Sequence, residues 1–287
     1  MPVSAASLPP ARPTGPRQGP ALARVDFVEG MAKGMAVLES FDTQRQRLNA
    51  TLAAERAGLS RAAARRHLLT LAHLGYLETD GSYYWLAPKV LRFSGTYLAT
   101  SRLPRAVQPT LNRLAAQTRD SFSVAVLDGS EVVIIGRSGY EGRLASDAGA
   151  GPARVMAYGL HLGARLPAHA TSTGRVMLAA LSKPELKAWI QARLVAGSLP
   201  RLTLHTTTDT RQFKALLEQV RKQDHCVASQ AHELGVHALA VPLRDLQGRT
   251  VAALNVVTSA SRLEGPALAG ELLPLLMDAA RELRELL

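Results

Sequence analysis

Residues 58–77, GLSRAAARRHLLTLAHLGYL, constrain what this chain can fold into more than any other stretch. Asn49 is placed to cap a helix running to Gly58, where glycine permits the left-handed backbone that ends a helix sharply. Ser60 then opens a second helix, its side chain able to accept a hydrogen bond from an otherwise unpaired first-turn amide. Only Gly58, Leu59 and Ser60 separate the two, the short glycine-bearing turn of a helix-turn-helix. Wound at about 3.6 residues per turn, the second helix puts Ala64, Leu68 and Leu71 on one side, with His67 and Leu74 at its margin. Ala62, Arg65, Arg66, Leu69 and His73 fall on the other. The first side suits a small core and the second suits something anionic. A basic face alone is equally well explained as solvated helix surface. The flanks decide between the two.

Upstream, Val28, Met31, Met35 and Leu38 recur at helical spacing and predict a first helix over 27–40. Residues 41–48 are polar and arginine-bearing, a loop. Downstream, Tyr76-Leu77-Glu78 and Tyr83-Tyr84-Trp85-Leu86 flank Thr79-Asp80-Gly81-Ser82. Asp-Gly between two apolar runs is a hairpin signal, because glycine tolerates the positive φ of such turns. Three helices and a hairpin in this order predict a winged helix-turn-helix, whose second motif helix enters a DNA major groove.

The 287 residues leave room for a second domain. Residues 1–24 hold Pro2, Pro9, Pro10, Pro13, Pro16 and Pro20 and little apolar periodicity, so they read as a disordered leader. That segment lacks the apolar core of a signal peptide, and no run of about eighteen apolar residues follows. A soluble cytoplasmic protein with no membrane partner is expected. The single cysteine, Cys226, excludes an intramolecular disulfide, fits a reducing compartment and reads as a small buried hydrophobe. Of the net charge of +11, residues 1–105 supply +7, with 14 Lys and Arg against 7 Asp and Glu. The remaining 182 residues carry 20 against 16. The excess cation therefore sits with the helix-turn-helix, where it would bind phosphates by releasing counterions.

The rest of the chain has a different texture. Residues 88–103 read as a helix opened by Pro88, a natural connector, and Pro104 and Pro109 bracket the entry to another helix through Leu111, Leu114 and Ala115. Residues 124–127 and 131–135 form a second hairpin candidate around Asp128-Gly129-Ser130. Helices are expected over 170–181, 185–195, 210–222 and 268–287, and strands over 226–230, 238–243 and 251–257, the last two joined by the turn Asp245-Leu246-Gln247-Gly248. Hairpin-joined strands among long helices predict an α+β domain around a largely antiparallel sheet. Enzyme and metal chemistry find little footing. No Gly-x-Ser-x-Gly elbow surrounds Ser172, and His232-Glu233 followed by His237 lacks zinc-helix spacing. Gly149-Ala150-Gly151-Pro152 is a loop, not a phosphate-binding fingerprint. Neither catalysis nor a metal nor a cofactor is expected.

Three runs in this order carry a resemblance: residues 58–66 (GLSRAAARR), residues 165–175 (RLPAHATSTGR), and Glu233-Leu234-Gly235-Val236 followed by Ala240-Val241-Pro242. With Ala253-Leu254-Asn255-Val256, they resemble the IclR family of bacterial transcriptional regulators, from about Phe27 to the C-terminus. The recognition helix is most similar to the branch controlling protocatechuate and para-hydroxybenzoate catabolism. The resemblance implies a winged helix over 25–87, a linker helix over 88–104 and a GAF-like effector-binding domain over 105–287. It also implies a dimer or tetramer, double-stranded operator DNA as partner and a small organic acid, here aromatic, as effector. The implied DNA contacts are Arg61, Ala62, Arg65 and Arg66 with Ser60 at the entrance, Arg65 and Arg66 nearest the bases. Tyr83 and Lys89 would touch phosphates; packing within the hairpin is the other reading of Tyr83, Tyr84 and Trp85, and the preferred one for Trp85. The implied effector residues are Ser172 and Thr173 at a helix start, Glu233 and Asn255 on the opposite wall, and Arg165 and His169 as partners for an acid. A surface salt bridge fits Arg165 equally well, and a structural hydrogen bond fits His169. Two alternatives stay open: a metabolite-binding or enzymatic module with an incidental basic helix, and an IclR-type regulator of a non-aromatic acid pathway.

Overall fold

The structure is a computed structural model describing residues 23–42, 45–138, 161–195, 197–258, 260–263 and 268–287. Nearly all of the proline-rich leader and the Gly149–Pro152 loop lie outside the described residues. The chain divides into two compact units, Met1–Tyr97 and Leu98–Leu287.

In the first unit α1 (Glu29–Leu38), α2 (Ala50–Ala57) and α3 (Arg61–His73) precede a hairpin of β1 (Leu77–Thr79) and β2 (Tyr84–Leu86). The expected punctuation is present. Asn49 caps α2 by accepting from the Thr51 and Leu52 amides at 3.1 and 2.9 Å, and Gly58 ends it at φ 65°. Ser60 Oγ accepts from the Ala63 amide at 3.3 Å and starts α3. Leu77 pairs with Leu86 and Thr79 with Tyr84, and Leu48 joins the hairpin through a bridge to Tyr84. Val37, Leu48, Ala53, Ala64, Leu68, Leu77 and Tyr84 make the core. Of the apolar stripe that identified α1, Val28, Met31 and Met35 are exposed, and Leu38 packs half-buried against this core beside the buried Val37.

The connector differs from expectation. A 3-10 turn over Pro88–Val90 leads into α4 (Leu91–Thr100), the helix breaks at Ser101, and α5 runs from Arg102 to Thr118. A continuous helix through Pro104 would lose the hydrogen bond to the Thr100 carbonyl and crowd it against the pyrrolidine ring. Restarting at Arg102 places Pro104 in a first turn, where its missing N–H has no intrahelical partner to lose. Pro109 lies inside α5 rather than at its entry.

The second unit holds a six-stranded antiparallel sheet of β3 (Ser121–Asp128), β4 (Glu131–Arg137), β5 (Arg165–Pro167), β6 (Cys226–Ser229), β7 (His237–Arg244) and β8 (Thr250–Thr258). Its spatial order is β5-β4-β3-β8-β7-β6. Helices α6 (Ser172–Ala179), α7 (Lys183–Gln191) and α8 (Thr210–Gln223) intervene between β5 and β6, and α9 (Leu273–Leu283), preceded by a π-helical turn over Leu268–Leu272, follows β8. Alternation along the strands sorts side chains by size. Phe122, Val124, Leu239, Val241, Leu254 and Val256 pack with α5 and α9. Ala125, Ala240, Ala253 and Cys226 face α6, α7 and α8. Side chains two apart share a face, so one bulky and one spare layer come from the same strands. The spare layer lets α6 approach the sheet closely and leaves room for a cavity.

Candidate DNA interface and effector cavity

In the first unit, α3 is amphipathic as its spacing demands. Ala64 and Leu68 are buried, whereas Arg61, Ala62, Arg65, Arg66, Leu69 and His73 are exposed. Truncating Leu68 would cost about 2–5 kcal/mol through the cavity left behind. The outward arginines differ from their neighbours. Arg47 pairs with Asp80 at 2.7 Å, and Arg56 pairs with Asp42. Arg61, Arg65 and Arg66 make no ion pair among the described residues, so three guanidinium groups face solvent from one helix. An arginine so placed can form a bidentate contact to guanine or hold a phosphate.

The hairpin is braced from within. Asp80 Oδ1 accepts from the Ser82 and Tyr83 amides at 2.9 and 2.8 Å. Those two backbone bonds, from Tyr83 and then Ser82, hold its carboxyl below the usual range against an opposing desolvation, and Arg47 adds a lesser lowering. Trp85 Nε1 donates to Glu78 at 2.9 Å, and the Arg47 guanidinium lies 4.5 Å from the centroid of the Trp85 ring. Tyr84 is buried, and Tyr83 is 40% exposed beside the turn. Lys89 is turned back onto the end of α3, with Nζ donating to the Leu74 carbonyl at 2.6 Å. The part of Arg47 could not be read from residues 41–48, because Trp85 and Asp80 are distant in sequence.

In the second unit, the start of α6, the small-residue face of the sheet and residues 231–236 enclose a cavity of about 100 Å³. Thr171 caps α6, its Oγ1 accepting from the Gly174 amide at 3.1 Å. The Ser172 and Thr173 amides stand in the first turn, where a helix offers no internal acceptor and its dipole favours negative charge. That turn is set by a close approach: a Cβ at Gly174 would lie 2.1 Å from the Ala168 carbonyl oxygen. Across the cavity, Ser123 Oγ donates to Asn255 Oδ1, which leaves the Asn255 amide N–H groups as the donors it can offer. Ser123 and Asn255 are register partners on β3 and β8. His232 and Glu233 line the wall with Ala231, Gly235 and Val236. Among the described residues no lysine or arginine lines this cavity. Burial holds the His232 imidazole below its ordinary value, so it is neutral near pH 7.

Ser172, Thr173, Glu233 and Asn255 thus come together from separate parts of the sequence. Arg165 and His169 do not line the cavity. Arg165 is on the short edge strand β5, paired to Glu131 and Asp128 at 2.7 and 2.8 Å. His169 is buried, with Nε2 2.8 Å from the Pro200 carbonyl oxygen. Its pKa is lowered chiefly by burial, with Arg175 and His232 adding to the effect and the Pro200 contact opposing it. Sequence reasoning missed Ser123, Thr171 and His232 as wall residues. The alternation of Ser123 and Ala125 with Phe122 and Val124 was the available signal. It also missed Arg175, buried behind the cradle with Nε donating to the His169 carbonyl at 3.0 Å. Cys226 is buried, and desolvation pushes its thiol up to about 11, outweighing the favourable influence of Arg175. Among the described residues no cluster of His, Cys, Asp or Glu could hold a metal, and no helix is long and apolar enough to cross a membrane.

Residues 30–81 match the IclR helix-turn-helix domain, and residues 95–285 match the C-terminal domain of bacterial IclR transcriptional regulators. The chain belongs to the IclR family. It is 51% identical to the Pca operon regulatory protein of Acinetobacter baylyi over 262 residues, covering 91% of this chain and 90% of that one. It is 48% identical to the p-hydroxybenzoate hydroxylase transcriptional activator of the same organism, covering 91% and 92% of the two chains. Among solved structures it resembles the inducer-binding domain of the Acinetobacter PobR transcription factor, a double mutant in complex with 3-hydroxybenzoic acid. That likeness has 42% identity and a TM-score of 0.55, covering 64% of this chain and 98% of that one. The α+β architecture, with a helical DNA-binding unit and an antiparallel-sheet unit, is that of an IclR transcriptional regulator.

Proposed function

We propose that this IclR regulator senses a hydroxybenzoate-type aromatic acid in its second unit and has no catalytic activity of its own. The observation that carries the reading is the cavity at the start of α6. Its small apolar walls suit a ring, its uncharged donors suit a carboxylate at one end, and the Ser123–Asn255 pair suits a polar substituent at the other. The 42% identity to a domain that binds 3-hydroxybenzoic acid supports it. In this reading Ser172 and Thr173 take the carboxylate, Asn255 the ring substituent, and Glu233 borders the entrance. Arg165 and His169 act on the scaffold instead, one in a surface ion pair and the other in a buried hydrogen bond.

Operator recognition falls to α3. Arg65 and Arg66 approach the base edges, Arg61 the backbone, Ser60 and Ala62 the helix entrance, and Tyr83 the phosphates beside the hairpin. The exposed apolar side chains of Val28 just before α1, Met31 of α1, and Leu91 and Phe93 of α4, each more than 60% exposed, support self-association through the first unit. A dimer or tetramer built this way would read half-sites about one helical turn or a multiple apart. A regulator of transcription works where the chromosome is, so we assign it to the cytoplasm. The coupling of effector to operator is reciprocal, DNA changing effector affinity by the same factor.

The test is a thermal-shift and calorimetric panel of hydroxybenzoates and non-aromatic acids against the full chain. A mono- or dihydroxybenzoate should raise the melting temperature of the second unit. Asn255→Ala or Ser172→Ala should weaken its binding about five- to tenfold, the worth of one hydrogen bond. A panel in which only non-aromatic acids bind would refute the proposed effector class and leave the DNA-binding assignment standing.

A further inference from the structure

The C-terminal end of α3 is gripped by residues that follow the hairpin. Leu74, just past the helix, offers its carbonyl to Lys89 Nζ at 2.6 Å, and the same ammonium lies 4.8 Å from the centroid of the Tyr76 ring. Tyr76 in turn stacks on Phe93 of α4, with ring centroids 5.8 Å apart and planes inclined by 15°. The backbone reinforces this knot. The Tyr76 amide donates to the Leu71 carbonyl, and the Ala87 amide donates to the Tyr76 carbonyl, each at 2.9 Å. Gly75 turns the chain at φ 78°, beneath the Lys89 stem. A cation on a carbonyl at a helix C-terminus meets both an orphan acceptor and the negative end of the helix dipole. Aromatic stacking at this separation adds a directional preference to the contact.

We propose that Lys89 and Tyr76 are positioning residues for operator binding. They fix the angle of α3 against the start of α4, and thereby the reach of Arg61, Arg65 and Arg66, while Lys89 itself neutralises no phosphate. The inference rests on the proposed function only in that α3 reads DNA. It assigns Lys89 the opposite role to the phosphate contact its sequence position suggests. The two roles differ in what they measure. A phosphate contact weakens binding to every duplex alike and lowers the salt dependence by about 0.9 of a log unit per log unit of salt. A positioning residue lowers affinity for the correct sequence only.

The experiment uses the full chain and a duplex that the wild-type protein selects from a random-sequence pool, with an unselected duplex as control. Lys89→Met keeps most of the unbranched stem and removes the charged end. Tyr76→Leu removes both ring contacts and no charge. Circular dichroism fixes a temperature at which each variant is folded. Each variant should bind the selected duplex about tenfold more weakly, bind the control duplex as wild type does, and keep the wild-type salt slope. Parallel losses on both duplexes for Lys89→Met, with a slope lower by about one, would make it a phosphate ligand and overturn the inference. Wild-type affinity for the selected duplex in either variant would overturn it too. A wild-type protein that selects no duplex would remove the DNA-reading role of α3 and this inference with it, an outcome distinct from the others.

Discussion

In the proposed function the two units prepare for negative charge in opposite ways. Among the described residues, α3 sets three guanidinium groups into solvent with no paired carboxylate, whereas no cationic side chain lines the cavity beside α6, which offers hydroxyls, an amide and helix-start N–H groups. The difference follows from what each would meet. A duplex carries a dense row of phosphates whose condensed ions are released on binding, so exposed cations gain affinity and lose it as salt rises. A single carboxylate taken into a small apolar cavity is held by preformed dipoles, and a lysine beside it would itself have to be desolvated. Charge at the surface and neutral donors in the interior are two answers to one electrostatic question.

The largest effect that tests this contrast comes from Gly174. In most helices Gly→Ala gains about 1 kcal/mol. Here the added methyl meets the Ala168 backbone, which has no flexible end to yield. Gly174→Ala should destabilise the second unit by about 3 kcal/mol and abolish the thermal response to effector, with operator binding retained. A variant that still binds effector as wild type does would show that the neutral donors of that turn are not the anion cradle.

Next in size is Arg65→Ala, for which a loss of about 1–3 kcal/mol in operator binding is expected, with a relaxed preference at one base pair. Its effector affinity, measured by calorimetry without DNA, should match wild type and change little between low and high salt. Strong salt dependence of effector binding would blur the division between the two units.

The smallest effect is on pH. His169 and His232 have folded-state pKa values lowered chiefly by burial. The unfolded chain therefore takes up their protons first as pH falls. Their neutral burial contributes stability above the ordinary histidine value, near 6.5, and that stability is lost as pH drops through the lowered folded values. The melting temperature of the second unit should fall between pH 7.5 and about 5.5. His232→Gln should flatten part of that decline. A melting temperature that rises on acidification would contradict the burial of both imidazoles as neutral groups.

The units also differ in how much of them the sequence discloses. In the first, Asn49, Gly58 and Ser60 act on neighbours within three residues, and Asp80-Gly81 closes a hairpin on itself, so local chemistry reveals both elements and faces. What it hides there is tertiary: the exposed side of α1, the Arg47–Trp85 contact and the return of Lys89 to Leu74 across fifteen residues. In the second, the strands and the hairpin at Gly129-Ser130 are legible from β-branched runs and turn residues. β5 is not, because three residues ending in proline become a strand only by pairing with β4. Ser172 and Asn255 could be placed on the cavity wall by resemblance alone. The exclusion of Arg165 needed the positions of Asp128 and Glu131, which share its edge of the sheet.

Cys226 brings an experimental advantage. It is the one thiol in the sequence, and it is buried with its ionisation pushed up to about 11, so little of it is reactive thiolate near pH 7. A cysteine introduced on α3 and another on α8 would therefore react with maleimide dyes against almost no native background. Fluorescence energy transfer between such labels can follow, in the otherwise unmodified chain, how an inducer bound in one unit is felt by the other.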